Sequence, residues 1–79
     1  MNTWVEILNE EKLPGGGGYH ICFQNVIYHY ANGTTDYGFR FIWRKPGGNL
    51  LSSRGQARIP DAVTLKRLLA KAKSAGWFK

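Results

Sequence analysis

Hydrophobic and polar residues alternate most clearly between Tyr37 and Lys45. Successive side chains of a β-strand point to opposite faces of its sheet, so every second residue shares a face. One face of this aromatic strand is apolar and consists of Tyr37, Phe39, Phe41 and Trp43. The other face carries Arg40 and Arg44 on either side of Ile42. The pattern predicts a strand with a buried aromatic face and a largely cationic opposite face.

A second strand is predicted from Tyr19 to Tyr30, and its alternation changes phase at Gln24 and Asn25. A β-bulge at this point would return the apolar residues on both sides of it to one core. Two short strands separated by a turn would produce the same pattern. Turn-forming residues then fill positions 31–36 and join this segment to the aromatic strand as a hairpin.

A turn over residues 46–49 leads to a third predicted strand over residues 50–59. Its alternation resembles that of the aromatic strand and places Arg54, Gln56 and Arg58 on one face. If the two strands pair around the turn, these side chains lie beside the two arginines of the aromatic strand. The sequence therefore predicts a cationic sheet face about two strands wide.

A helix is predicted over residues 60–76. Asp61 suits its N-cap, and Gly76 suits a left-handed position after its last turn, which lets Trp77 fold back onto it. The apolar residues recur at spacings of three and four along one face, namely Ala62, Leu65, Leu68, Leu69 and Ala72. That stripe predicts packing of the helix on the apolar face of the sheet.

The N-terminal segment is ambiguous between helix and strand. Thr3 and Glu6 have the spacing of a capping box, which favours a helix. Ten residues make only a marginal helix, however, so a strand or irregular arm at the sheet edge is preferred. Pro14 and the four following glycines are typical of a flexible connector, and the Gly-Lys-Ser/Thr of a phosphate-binding loop is missing after them.

Together these elements predict an α+β fold, with an antiparallel sheet of three to four strands packed on one face by a single C-terminal helix. The 79 residues are expected to form one domain, since a chain this short supports only one small core. Its parts are an N-terminal arm and Gly-rich connector (1–18), the antiparallel sheet (19–59) and the C-terminal helix (60–76).

The net charge of +6 is unevenly distributed. Residues 1–36 have a balance of −3 and residues 37–79 one of +9. Such an asymmetry favours an acidic partner for the second half, most commonly nucleic acid, although many small basic domains use their charge only for solubility. With no signal peptide, no long apolar run and one cysteine, the chain is expected to be cytoplasmic and not membrane-bound.

Catalysis, a metal and a cofactor are not expected. His20 and Cys22 lie two residues apart on a predicted strand, but neither a complete metal-ligand set nor a nucleophile motif accompanies them. An ordinary strand histidine beside a buried cysteine is the preferred interpretation.

The basic residues are the best functional candidates, because guanidinium groups bind phosphates and read guanine edges. The predicted nucleic-acid-binding residues are Arg40, Arg44, Arg54, Arg58, Gln56, Lys66, Arg67 and Lys71. The layout of residues 19–76 is similar in topology and charge to small DNA-binding modules that read the major groove with a sheet, such as the arm-binding domains of tyrosine recombinases. That resemblance implies DNA more than RNA as the partner.

Two alternatives explain the same face. It is either an ordinary solvated surface of an antiparallel sheet, or a protein interface in which Ile42 and Leu50 are buried. The second alternative predicts a homodimer made by two sheets packing face to face.

Overall fold

Three antiparallel strands and one C-terminal helix make up the fold, and this confirms the predicted α+β class. The structure is a computed structural model that describes residues 3–51, 58–59 and 61–78. The elements are β1 (Trp4–Gly16), β2 (Tyr19–His29), β3 (Thr35–Arg44) and α1 (Ala62–Ser74). The strand order β1-β2-β3 makes β2 the central strand.

The N-terminal arm is itself an edge strand of the sheet. β1 pairs with β2 along its whole length, from Trp4 opposite His29 to Gly16 opposite Tyr19. Pairing to a neighbour outweighs the weak helix signal at the N-terminus because a helix of about ten residues is only marginally stable. The prediction that Pro14 ends this segment is wrong, because β1 continues through it to Gly16. An edge strand accepts proline where the missing N–H would face solvent.

The glycine-rich segment is a tight hairpin turn instead of the predicted flexible connector. Gly17 and Gly18 link β1 directly to β2, and their φ angles are +61° and +82°. Positive φ at both central residues is what a type I′ hairpin turn requires, and glycine adopts it without steric cost.

The predicted bulge at Gln24 and Asn25 is wrong. β2 pairs with β3 in unbroken register, and the irregularities lie in β1, between Ile7 and Asn9 and between Pro14 and Gly16. Because β2 keeps its phase, Val26 lies on the sheet face away from α1 and is fully buried there. The apolar residues of β2 therefore serve both faces of the sheet.

The core lies between α1 and the β1–β2 half of the sheet. The buried cluster consists of Leu13, Ile21, Phe23, Leu68 and Ala72. Phe23 is its centre, with ring centroids 4.7 Å from Phe41 and 5.4 Å from Trp77. Each such aromatic pair contributes about 1 kcal/mol beyond the area it buries.

The aromatic strand β3 lies beside the helix-covered part of the sheet, and its rings are only partly buried. Among the described elements, α1 contacts β1 and β2 but not β3. Phe41 and Trp43 pack on the core, as predicted. Phe39 is 50% exposed and Tyr37 is 77% exposed, so the predicted burial of these two rings is wrong.

Both ends of α1 have the predicted caps. The Asp61 carboxylate accepts a hydrogen bond from the Thr64 amide at 2.7 Å. At the other end, Gly76 has a φ of +85° and the Trp77 amide donates to the Ala72 carbonyl at 3.1 Å. This is the six-to-one bond of a Schellman motif, and it aims Trp77 at the core.

Most of the third predicted strand, residues 50–59, lies outside the described residues. Leu50 forms an isolated antiparallel bridge with Arg44, and the Leu51 amide donates to the Trp43 carbonyl at 2.8 Å. Further on, the Arg58 carbonyl accepts a hydrogen bond from the Trp43 indole N–H at 2.9 Å.

Gly15 should be essential for the packing of Trp43. A Cβ at this position would overlap Cζ3 of the indole and lie 2.6 Å from Cη2. We expect Gly15→Ala to lower the free energy of unfolding by about 2 kcal/mol, measured by urea denaturation, because the indole must leave its place. Gly47→Ala is the matched control, since its Cβ would meet no atom within 4 Å. Equal stability of the two variants would contradict this packing.

Candidate nucleic-acid interface

The sheet face away from α1, here called the outer face, carries a network of polar side chains. The strand register places Glu10, Gln24 and Arg40 side by side across β1, β2 and β3. Arg44 lies further along β3 on the same face and extends back to Glu10. The predicted cationic face therefore contains a carboxylate supplied by the N-terminal strand.

Glu10 and Arg44 form a two-bond ion pair. The Arg44 Nε donates to Oε2 at 2.8 Å, and its Nη2 donates to Oε1 at 2.7 Å. Hydrogen bonding to the Arg44 guanidinium lowers the pKa of Glu10 and raises that of Arg44. Bidentate pairs of this kind are among the stronger polar contacts in proteins. Arg44 is therefore already neutralised by a carboxylate within its own chain.

Gln24 connects this pair to the second arginine. Its side chain is fully buried, donates to Glu10 Oε1 at 2.6 Å and accepts from Arg40 Nε at 2.7 Å. A buried amide is stable only when its donor and acceptor are both satisfied, and this arrangement provides a partner for each. Arg40 is thus held along the sheet by a structural contact.

The outer face has little free apolar area at its centre. Ile42 is 9% exposed, and Cys22 and Val26 are fully buried. A homodimer centred on Ile42 would find that side chain already covered within one chain.

The predicted binding residues do not form one cluster on the described part of the chain. Arg40 and Arg44 share the outer face. The Arg58 carbonyl instead contacts Trp43, whose ring packs on the core side of the sheet. Arg54 and Gln56 lie outside the described residues.

The helix carries the cations that are most available to a ligand. The basic residues of α1 are all exposed, and they are Lys66, Arg67, Lys71 and Lys73. The segment Ala62–Ser74 contains no acidic residue. The two salt bridges among the described residues lie in the sheet, so none of them reduces the charge of α1.

A group of exposed rings lies on the helix side of the sheet, beyond the end of α1. We call it the aromatic patch, and it consists of Trp4, Tyr37, Phe39 and Phe78. Phe39 and Phe78 meet edge to face with centroids 5.6 Å apart. The alternation along the aromatic strand does not reveal this patch, because it predicts that all four rings of that strand belong to the core.

The single cysteine lies in an environment that suppresses thiol chemistry. Burial first, and the Glu10 carboxylate second, raise the pKa of the fully buried Cys22 thiol to about 11. The thiolate is the reactive form, so little of it exists near neutral pH.

Other functional sites find no support in the described part of the chain. Within residues 3–51, 58–59 and 61–78, no group of three or more metal-ligating side chains comes together, and no cavity suited to a small molecule is present. Among the same residues, no helix has the length and apolar character needed to cross a membrane.

Comparison of the chain with models of protein families, with curated protein sequences and with solved structures finds no match. Functional interpretation therefore depends on the charge, exposure and contacts of the side chains.

The Glu10–Arg44 pair should make stability depend on acid pH. The folded-state pKa of Glu10 lies below its ordinary value of 4.5, so its stabilisation is complete above that value and is lost as pH falls through the folded pKa. We expect Glu10→Gln to lower the free energy of unfolding by about 2 kcal/mol at pH 7. Urea denaturation at a series of pH values should show this difference shrinking as the pH falls below 4.5 and through the lower folded-state pKa of Glu10.

Glu11→Gln is the matched control, because it makes the same charge change at the neighbouring position. The pH dependence of stability is assigned to the contacts that Glu10 makes with Arg44 and Gln24. A constant difference between wild type and Glu10→Gln at all pH values would show that the charge of Glu10 contributes nothing.

Cys22 should be protected from alkylation in the folded protein. Because its thiol is buried and its pKa is about 11, we expect iodoacetamide to modify the native protein at least about 100-fold more slowly than the urea-unfolded chain at pH 8. Mass spectrometry measures both rates. Comparable rates would mean that β2 opens easily or that the thiol is accessible.

Proposed function

We propose that the protein is a small nucleic-acid-binding module whose phosphate contacts come mainly from α1. The observation that carries this proposal is the exposed basic surface of the helix, which no carboxylate of α1 offsets. Uncompensated lysine and arginine side chains on one surface attract the phosphate backbone and release its counterions.

The distribution of acidic groups supports α1 over the outer face. Glu10 already occupies the Arg44 guanidinium, and Gln24 holds Arg40. A phosphate would have to compete with Glu10 for the Arg44 guanidinium, while at Arg40 the contact with Gln24 engages Nε. Three of the predicted binding residues have no such internal competitor among the described residues, namely Lys66, Arg67 and Lys71.

The salt dependence of binding tests this proposal. We expect Lys66→Gln, Arg67→Gln and Lys71→Gln each to weaken binding and to reduce the slope of log affinity against log salt by about one, because each removes one phosphate contact. Fluorescence anisotropy with labelled DNA and RNA oligonucleotides gives the slope.

Lys12→Gln is the matched control, since it makes the same charge change at an exposed position of β1. A slope that falls equally for Lys12→Gln would indicate a net-charge effect without a defined surface. Absence of binding by the wild type at low salt would refute the proposal.

A homodimer remains the second candidate, because large apolar side chains such as Tyr37 and Phe39 are exposed on one chain. Sedimentation velocity of the protein alone distinguishes it. Dissociation of a dimer by Tyr37→Leu would favour an interface at these exposed rings, whereas dissociation by Ile42→Glu would favour the outer-face interface predicted from sequence.

A further inference from the structure

We propose that the aromatic patch is a stacking platform for the bases of single-stranded nucleic acid. This inference depends on the proposed function and specifies its ligand. Its starting point is that Tyr37 and Phe39 occupy alternate positions of β3, so both rings rise from the same face of the sheet. Alternate positions on a strand lie roughly 7 Å apart, which gives two separate stacking positions.

The rings are exposed because α1 does not cover this part of β3. α1 covers β1 and β2, and the helix-side surface of β3 beyond Phe41 is left to the residues that follow the helix. Phe78 reaches Phe39 and leaves both rings substantially exposed. Tyr37 is 77% exposed, so most of the residue is available to a ligand.

The remainder of the patch has the same flat, polar-edged character. The Trp4 ring stacks on His29 with an interplanar angle of 6° and centroids 4.1 Å apart, while Trp4 stays 55% exposed. The amides of Asn9 and Asn25, joined by a hydrogen bond of 3.1 Å, lie in the row that includes Phe39. Rings and amides together suit bases, which present flat faces and hydrogen-bonding edges.

Charge favours a polyanion over an apolar protein partner at this position. Lys71 and Lys73 lie in the last turn of α1, from which the chain runs through Gly76 to Phe78. One carboxylate, that of Glu6, lies in the strand row that contains Tyr37, and it contacts His29 at 2.8 Å. Basic groups bordering stacked aromatics are the usual composition of a single-strand binding groove.

Duplex nucleic acid fits the patch poorly, because paired bases are stacked on each other and their faces are closed to a protein ring. Unpaired bases expose those faces. The platform therefore predicts a preference for single strands that the helix cations alone would not create.

The test compares a fluorescein-labelled oligo(dT) of about 12 nucleotides with a hairpin duplex that carries the same number of phosphates. At moderate salt we expect Tyr37→Leu and Phe39→Leu each to weaken oligo(dT) binding about ten-fold and to leave duplex binding and the salt slope unchanged. Tyr37→Phe keeps the ring and should bind like the wild type. Val63→Ser, at another exposed apolar position, is the control for general surface change.

Each outcome supports or overturns the inference. Equal affinity of Tyr37→Leu and Tyr37→Phe for oligo(dT), or a wild-type preference for the duplex, overturns the platform while leaving the proposed function intact. Failure of the wild type to bind either probe overturns both. A dimer that Tyr37→Leu dissociates, with no oligo(dT) binding by the wild type, overturns the platform and assigns the patch to a second copy of the chain.

Discussion

Burial of the central strand on both faces is the constraint on which the rest of the structure depends. A three-stranded sheet with one helix covers β2 on one side only, yet Ile21 faces the core and Gln24 faces away from it, and both are fully buried. The second face is closed by the side chains of the flanking strands. Glu10 and Arg44 provide part of this cover as an ion pair, which is why the outer face is a structural network in its own right.

This constraint redistributes the charge of the molecule. The acids of the N-terminal half are not a separate region, because β1 places Glu10 against an arginine from the basic half. Glu10 neutralises Arg44 within the sheet, whereas the four cations of α1 have no carboxylate partner among the described residues. The charge asymmetry along the sequence thus becomes an asymmetry between the helix and the sheet in the folded protein.

The fold class, the helix and its caps were predictable from sequence because their signals are local. A stripe at helical spacing, Asp61 before it and Gly76 after it need no knowledge of distant residues. The pairing of β1 was harder to predict, since it depends on a glycine turn that tightens into a hairpin. The strand register determines which cations are available to a ligand. Only the alignment of Glu10 with Gln24 shows that Arg40 and Arg44 have partners within the sheet.

The exposed rings follow from the size of the helix. At 13 residues α1 is about 20 Å long, and it packs over two strands of the three. Alternation along β3 indicates that Tyr37 and Phe41 share a face, but it gives no information on where the helix ends. A polar residue in place of Tyr37 would cost the core little at 77% exposure, so packing alone does not account for an aromatic residue there. A ligand with flat faces would account for it, and that is the physical reason for the proposal that unpaired bases bind to this part of the sheet.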